Sequence, residues 1–155
     1  QVYSAHTNLD SAEGGIADVL AEMLDLQNLT PLDGNPGRKG GLNQPETLLN
    51  MVDKVKTVLN VGKLKLINPS NIEKIQKIAV LPGSGGSFIP NLKDIDLYIT
   101  GDVKYHDALE VNNFAVIDAG HFETEVIALP VLKNLLSKLD VEVSIAHEQL
   151  PWEIV

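Results

Sequence analysis

The sequence contains no cysteine, and this absence excludes several kinds of site. Without thiols the chain can form no disulfide framework, no thiolate zinc site and no cysteine nucleophile. Any metal site must therefore be built from His, Asp and Glu. This set of ligands suits zinc, iron or manganese.

Basic residues and long apolar runs are also scarce. Twelve Lys and Arg stand against twenty-one Asp and Glu, which gives a formal net charge of -9. Because non-specific nucleic-acid binding depends on cationic side chains that neutralise phosphates, we expect no direct nucleic-acid partner. No apolar run approaches the roughly 20 residues that span a bilayer. We therefore expect no membrane partner and a cytoplasmic location.

The length and the apolar content predict one folded domain over residues 1–155. The chain has 155 residues, of which 44% are hydrophobic, enough for one substantial core. Its first residue is Gln1, with neither an initiator Met nor a leader before it. We therefore expect the sequence to begin within a longer protein.

Alternating and helical patterns predict an α/β fold, with helices packed on a largely parallel sheet. Strands are predicted at 2–5, 63–67, 77–81, 95–100, 114–117 and 141–146. Helices are predicted at 14–26, 45–59, 103–111 and 124–138, and residues 27–41 are predicted to form a long loop or a bent edge strand. The similar strand-turn-helix segments 2–26 and 114–139 suggest part of a duplicated fold of two α/β units.

Two of the predicted helices carry more detailed expectations. In the second helix, Pro45 suits the first turn, with Asn43 or Gln44 as the capping residue. The helix at 124–138 is expected to bury its apolar stripe, with Pro130 in its first turns or at a kink. The apolar residues of that stripe are Val126, Ile127, Leu129, Leu132, Leu135, Leu136 and Leu139.

The segment 118–125 follows a predicted strand and contains both a histidine and acids. If a helix begins there, His121 and Glu125 are four residues apart and share one face. An imidazole and a carboxylate in that arrangement can hold one metal ion. The alternative is a solvated helix start at which the acids complement the helix dipole.

A second turn, at 6–11, could supply further ligands. Asp10 follows His6 by four residues at the end of the predicted first strand. Asp, Asn and Ser also act as helix caps and turn residues, which is the alternative explanation for this segment.

Three further features have both a functional and a structural interpretation. The glycine-rich loop 83–87 could bind phosphate through backbone N–H groups, or it could be a tight turn close to a neighbouring element. Arg38 and Lys39 could neutralise an anionic substrate, or they could be a solvated pair in a loop. His106, four residues after Asp102, could support the site or donate a proton, or it could be an exposed helix histidine.

Taken in order, five motifs resemble the Nif-three-like dinuclear-metal family, often labelled GTP cyclohydrolase I type 2. They are His6-Thr7-Asn8-Leu9-Asp10, Gly37-Arg38, Gly83-Ser84-Gly85-Gly86-Ser87, Ile99-Thr100-Gly101-Asp102 and Asp118-Ala119-Gly120-His121-Phe122-Glu123-Thr124-Glu125. The resemblance implies two divalent metal ions held by Asp10, His121 and Glu125, with Glu125 as a bridging carboxylate. The family's His-His pair has no match in this sequence. The chain is therefore expected to correspond to the carboxyl-terminal portion of the family's fold and to hold metal weakly by itself.

The resemblance also implies a function. We expect a metal-dependent hydrolase that acts on a small-molecule substrate such as a nucleotide, with His106 or His6 assisting proton transfer. The full-length family implies a homo-oligomer, a hexamer. The alternative is a non-catalytic metal-binding or regulatory interaction protein.

Overall fold

The computed structural model describes residues 1–148 and 150–152, and within them six strands form one sheet in the order β1-β2-β4-β5-β6-β3. The strands are β1 (Gln27–Pro31), β2 (Arg38–Thr47), β3 (Lys65–Ile67), β4 (Lys74–Ser84), β5 (Leu97–Gly101) and β6 (Ala115–Asp118). The helices are α1 (Thr7–Ser11), α2 (Ile16–Met23), α3 (Leu48–Leu59), α4 (Tyr105–Leu109), α5 (His121–Glu125) and α6 (Ala128–Leu136), with a 3-10 helix at Gly86–Asn91.

The centre of the sheet is parallel and its margins are antiparallel. β5 pairs in parallel with both β4 and β6, whereas β1, β2 and β3 join the sheet by antiparallel pairing. Every residue of β5 and β6 is buried, as expected for strands covered on both faces. The predicted α/β fold with helices layered on a sheet is therefore confirmed, although the sheet is mixed.

Alternation along the central strands divides the core between the two faces. Ile78, Val80 and Ile99 point to the face covered by α2 and α3, where Leu20, Leu24, Met51 and Val55 are buried. Ala79 and Tyr98 point to the other face, together with Ile89 of the 3-10 helix. Successive side chains of a strand point in opposite directions, so two apolar layers form from one set of strands.

Two predicted strands are not formed. Residues 2–5 are exposed and irregular, and residues 141–146 also have no regular structure. The prediction at 141–146 relied on apolar alternation and the one at 2–5 on a strand-like composition, but a strand also needs a neighbour that accepts its hydrogen bonds. The resemblance between segments 2–26 and 114–139 consequently rests on their turns and helices alone.

The second helix begins later than predicted. Pro45 belongs to β2, and α3 begins at Leu48 with Thr47 as its cap. The Asn50 backbone N–H donates to Thr47 Oγ1 at 3.2 Å, so Thr47 fills the capping role expected of Asn43 or Gln44. The register of β2 against β4 shifts between Gly41 and Glu46, and a proline is tolerated there because a ladder bond is already missing.

The predicted helix at 124–138 is divided into α5 and α6. Pro130 has no N–H to donate to the carbonyl of Val126, so the first helix ends there and Pro130 lies in the first turn of the next. The expected burial of the apolar stripe is wrong for α6, where Ala128 is the buried residue. Leu135 is 57% exposed and Leu139 is 60% exposed.

The glycine-rich loop 83–87 makes close backbone contacts with the neighbouring strand. The Gly85 N–H donates to Thr100 Oγ1 at 3.0 Å, and Tyr98 OH donates to the Gly85 carbonyl at 3.1 Å. A Cβ at Gly85 would lie 2.2 Å from Thr100 Oγ1 and 2.3 Å from Tyr98 OH. The structure thus supports the tight-turn interpretation at Gly85.

We expect Gly85→Ala to destabilise the fold by about 1–3 kcal/mol, because an overpacked methyl must displace buried groups. Chemical denaturation of both proteins measures the change in the free energy of unfolding. Gly62→Ala is the matched control, since a Cβ at Gly62 has no neighbour within 4 Å. Equal stability of the two variants would contradict the steric explanation.

Arg38 is a buried structural residue, which corrects both interpretations of Arg38 as a loop cation. Its Nε and Nη2 atoms donate to the carboxylate of Asp18 in α2. Nη2 also donates to the carbonyls of Ser11 at 3.2 Å and Ala12 at 2.9 Å. The guanidinium therefore ties the segment that follows Asp10 to the sheet.

We expect Asp18→Ala to cost about 3–5 kcal/mol of folding free energy, because it leaves the buried guanidinium without its counter-charge. Thermal and urea denaturation check this value. Asp53→Ala, on the exposed face of α3, should change stability by no more than about 0.5 kcal/mol. A change at Asp18 as small as that at Asp53 would contradict the structural role of the pair.

Candidate functional site

The candidate site lies where β5 and β6 end side by side. The two strands are parallel, and Thr100 is opposite Asp118 in their register. Asp102 follows the first strand and His121 follows the second. Because parallel neighbours end at the same edge of the sheet, this pairing brings together residues far apart in the sequence.

The buried carboxylate of Asp118 fixes the two turns at this edge. Its Oδ2 atom accepts from the backbone N–H of Val103 at 3.1 Å and from Lys65 Nζ at 2.7 Å. Its Oδ1 atom accepts from the Gly120 N–H at 3.2 Å. The turn after β5 and the turn after β6 are therefore held by one side chain.

His121 is the first residue of α5 and contacts an acid on each side of its ring. Nδ1 donates to Asp102 Oδ2 at 2.7 Å, and Nε2 lies 3.1 Å from Glu125 Oε1. The contact with Glu125 is the one predicted from the four-residue spacing. The sequence analysis did not predict the contact with Asp102. The sequence does show that Asp102 follows a predicted strand, and a parallel pairing of that strand with β6 would have indicated the contact.

These acids control the charge of the imidazole. Burial by itself would lower the pKa of His121, but the hydrogen bond with Asp102 and the negative charge of Glu125 raise it. The net pKa of His121 lies above the ordinary value of a histidine. The Nδ1 contact also orients the ring so that Nε2 is turned toward Glu125.

Gly83 keeps the space beside this pair free of side chains. A Cβ there would lie 2.4 Å from Glu125 Oε1 and 3.4 Å from His121 Nε2. The Gly83 N–H donates to Thr124 Oγ1 at 2.9 Å, so the end of β4 is attached to α5. Because Gly83 has φ +73°, a residue with a side chain would also be strained at this position.

Asp10 lies on α1. Burial raises the pKa of Asp10, and the nearby charges of His6 and His121 oppose that rise. Asp10 is thus within electrostatic reach of His121. In the described part of the chain, however, no three His, Asp or Glu side chains are close enough together to hold one ion. The assignment of Asp10, His121 and Glu125 as metal ligands stays a prediction.

The two histidines predicted to assist proton transfer lie in different surroundings. His6 is exposed at the start of α1, and its charge acts on Asp10. His106 is exposed on α4, where its ring packs edge-on against Tyr105 with 5.5 Å between centroids. The structure gives His106 no hydrogen bond to His121.

Comparison with known proteins agrees with the resemblance carried by the motifs. A sequence model described as Duf34/NIF3 (NGG1p interacting factor 3) matches residues 1–151. A GTP cyclohydrolase 1 type 2 homolog of Clostridium acetobutylicum is 36% identical over 96% of this chain and 61% of its own length. The homolog of Clostridium perfringens is 34% identical over 92% of this chain and 58% of its own length. The chain thus spans about three fifths of these relatives.

Solved structures share the fold. Reduced HcgD from Methanocaldococcus jannaschii superposes with a TM-score of 0.75 at 31% identity, over 90% of this chain and 58% of its own. A protein called ybgI, of unknown function, gives a TM-score of 0.85 at 24% identity, over 97% of this chain and 62% of its own. Because the family model matches residues 1–151 of the 155 residues, the chain belongs to the DUF34/NIF3 family.

Proposed function

We propose that this chain supplies part of a dinuclear metal centre in a hydrolase that acts on a nucleotide or a related small molecule. The observation that carries the proposal is the 3.1 Å separation of His121 Nε2 and Glu125 Oε1, with the opposite ring nitrogen bound to Asp102. Two ligand atoms that each lie about 2.0–2.2 Å from a shared ion are themselves roughly 3–3.5 Å apart. The separation of Nε2 and Oε1 falls in this range. The names of the curated relatives, GTP cyclohydrolase 1 type 2 homologs, support the choice of a nucleotide.

The chain's own residues have distinct roles in this proposal. His121 and Glu125 would hold one ion, and Asp10 would serve as a further ligand of the dinuclear centre. Asp102 acts as a positioning residue, because its hydrogen bond to Nδ1 orients the ring. When bound, divalent ions would lower the pKa of water and so supply a nucleophile at neutral pH. His6 and His106 stay the two candidate proton carriers, and His6 precedes the first residue of the helix that carries Asp10.

The whole protein's activity and assembly are part of the proposal. The family resemblance implies a His-His pair that this sequence does not contain, two bound ions and a hexameric homo-oligomer. We also propose a cytoplasmic location. No helix among residues 1–148 and 150–152 is long and apolar enough to cross a membrane.

Metal titration tests the ligand assignment. We expect Zn²⁺ or Mn²⁺ to bind to this chain weakly and His121→Ala to weaken the binding by at least about tenfold, because the loss of one ligand costs about 1.4 kcal/mol of binding free energy or more. Glu125→Gln should have a similar effect. Calorimetric titration gives the affinities, with His147→Ala as a control for an exposed histidine. Unchanged affinity in His121→Ala, or tight binding of two ions by this chain alone, would contradict the assignment.

Turnover distinguishes the hydrolase from its alternative. The metal-loaded protein is assayed against a panel of nucleotides, with product formation followed by chromatography. Hydrolysis that His121→Ala abolishes supports the enzyme. Full metal occupancy without turnover of any nucleotide favours a non-catalytic metal-binding or regulatory protein.

The orienting role of Asp102 predicts a change in the pKa of His121. Since the bond and the charge of Asp102 both raise that pKa, Asp102→Asn should lower it, and the imidazole should stay neutral to a lower pH. NMR titration of the ring in metal-free protein measures the shift. Asp94→Asn is the control, because Asp94 precedes β5 and lies at the opposite end of the sheet. An equal pKa in both variants would count against the Asp102 contact.

A further inference from the structure

The short helix α5 carries two of the proposed metal ligands, His121 and Glu125. It has five residues, and its N-cap is Gly120, which has no side chain that could accept a hydrogen bond from the first turn. Helices shorter than about 12 residues are marginal in water by themselves. The position of the two ligands therefore depends on the contacts that α5 makes with the rest of the fold.

Thr124 connects α5 to the sheet. Of the five residues of α5, all of which the structure describes, it is the one that is buried. Its Oγ1 atom accepts from the Gly83 N–H at 2.9 Å and donates to the Gly120 carbonyl at 2.7 Å. One hydroxyl group thus joins the end of β4, the turn before α5 and the helix itself.

The strand end that Thr124 contacts also lies directly beside the proposed ligands. A Cβ at Gly83 would overlap Glu125 Oε1 and would lie 3.4 Å from His121 Nε2. Thr124 is three residues after the first of these ligands and one residue before the second. Any shift of α5 along or away from β4 therefore moves both ligand side chains.

The hydrogen bond between Gly83 and Thr124 is buried, so its loss has a structural consequence. A valine at position 124 would have nearly the same shape but no acceptor. A buried N–H group without a partner is unfavourable, because it has lost its hydration without compensation. The backbone of Gly83 would have to separate from α5 to reach water or another acceptor.

We propose that Thr124 is a positioning residue of the candidate metal site, whose hydroxyl fixes α5 against Gly83 and thereby holds His121 and Glu125 at the separation that a shared ion requires. This role rests on the proposed function, because it concerns the placement of the proposed ligands. Hydrogen-bonded groups that orient metal ligands typically change metal affinity by about 10–100-fold when they are removed.

Four residues at position 124 separate the hydroxyl from the methyl group. The parent Thr124 has both groups, Thr124→Ser keeps the hydroxyl, Thr124→Val keeps the methyl, and Thr124→Ala has neither. Mn²⁺ is titrated by calorimetry into each chain after circular dichroism has shown that it is folded, and urea denaturation gives the stability.

The hydroxyl should decide the metal affinity. We expect Thr124→Val and Thr124→Ala to bind Mn²⁺ about tenfold more weakly than the parent, which corresponds to about 1.4 kcal/mol. Thr124→Ser should bind Mn²⁺ as the parent does, although the lost methyl lowers its urea midpoint. If the valine variant does not fold, the comparison of serine with alanine still isolates the hydroxyl.

Thr57→Val is the matched control. Thr57 Oγ1 donates to the Asp53 carbonyl at 2.8 Å, which is the same contact over four residues that Thr124 makes with Gly120, but it lies on the exposed face of α3. This variant should bind Mn²⁺ as the parent does. Parent-like affinity in both Thr124→Val and Thr124→Ala, or a loss in Thr124→Ser as large as in Thr124→Ala, would overturn the positioning role.

A structural measurement without metal separates this role from the metal and hydrolase proposals. Crystal structures of the parent and Thr124→Val give the distance between His121 Nε2 and Glu125 Oε1, which is 3.1 Å in the parent. We expect both side chains to be displaced from Gly83 in the variant. Unchanged positions of both would overturn the positioning role even if the parent binds Mn²⁺. Displaced side chains in a protein whose parent binds no Mn²⁺ would support that role and contradict the metal assignment.

Turnover separates the remaining combination. A parent that binds Mn²⁺ but hydrolyses no nucleotide, together with a tenfold weaker affinity in Thr124→Val, supports the positioning role and counts against the hydrolase.

Discussion

The buried carboxylate of Asp118 is the interaction on which the candidate site depends. It accepts hydrogen bonds from the backbone of both turns at the end of β5 and β6, and it pairs with Lys65. A buried carboxylate without these partners would be costly, so folding strongly favours the arrangement that satisfies all three. The same arrangement places Asp102 against His121, and the site therefore follows from a requirement of the fold.

Glycines make the close approaches at this edge of the sheet. Gly83 and Gly85 lie where a Cβ would overlap Glu125 or Thr100, and Gly120 lies under the carboxylate of Glu123. Each allows a backbone segment to approach a polar side chain more closely than an alanine would. The motif 83–87 therefore acts, at Gly83 and Gly85, by leaving space for neighbouring groups, and the sequence pattern alone could not distinguish this role from phosphate binding.

Predictions from the sequence succeeded where the pattern of apolar residues within one segment is enough to identify its secondary structure. The apolar repeats of α2 and the unbroken apolar run of β6 identify a helix and a buried central strand. They failed at 2–5 and 141–146, because a strand-like pattern shows that a segment could join a sheet but does not supply a pairing partner. They failed again for α6, whose leucines repeat with helical spacing although Leu135 and Leu136 are exposed.

The sequence by itself determined the local half of the site, because one helical turn is enough to bring His121 next to Glu125. It also determined the family, through the order of its motifs. Only the tertiary structure decided that Asp102 orients the imidazole and that Arg38 is a buried anchor for the segment after Asp10. These contacts join residues on different elements, and their distances depend on strand pairing and packing that no single segment encodes.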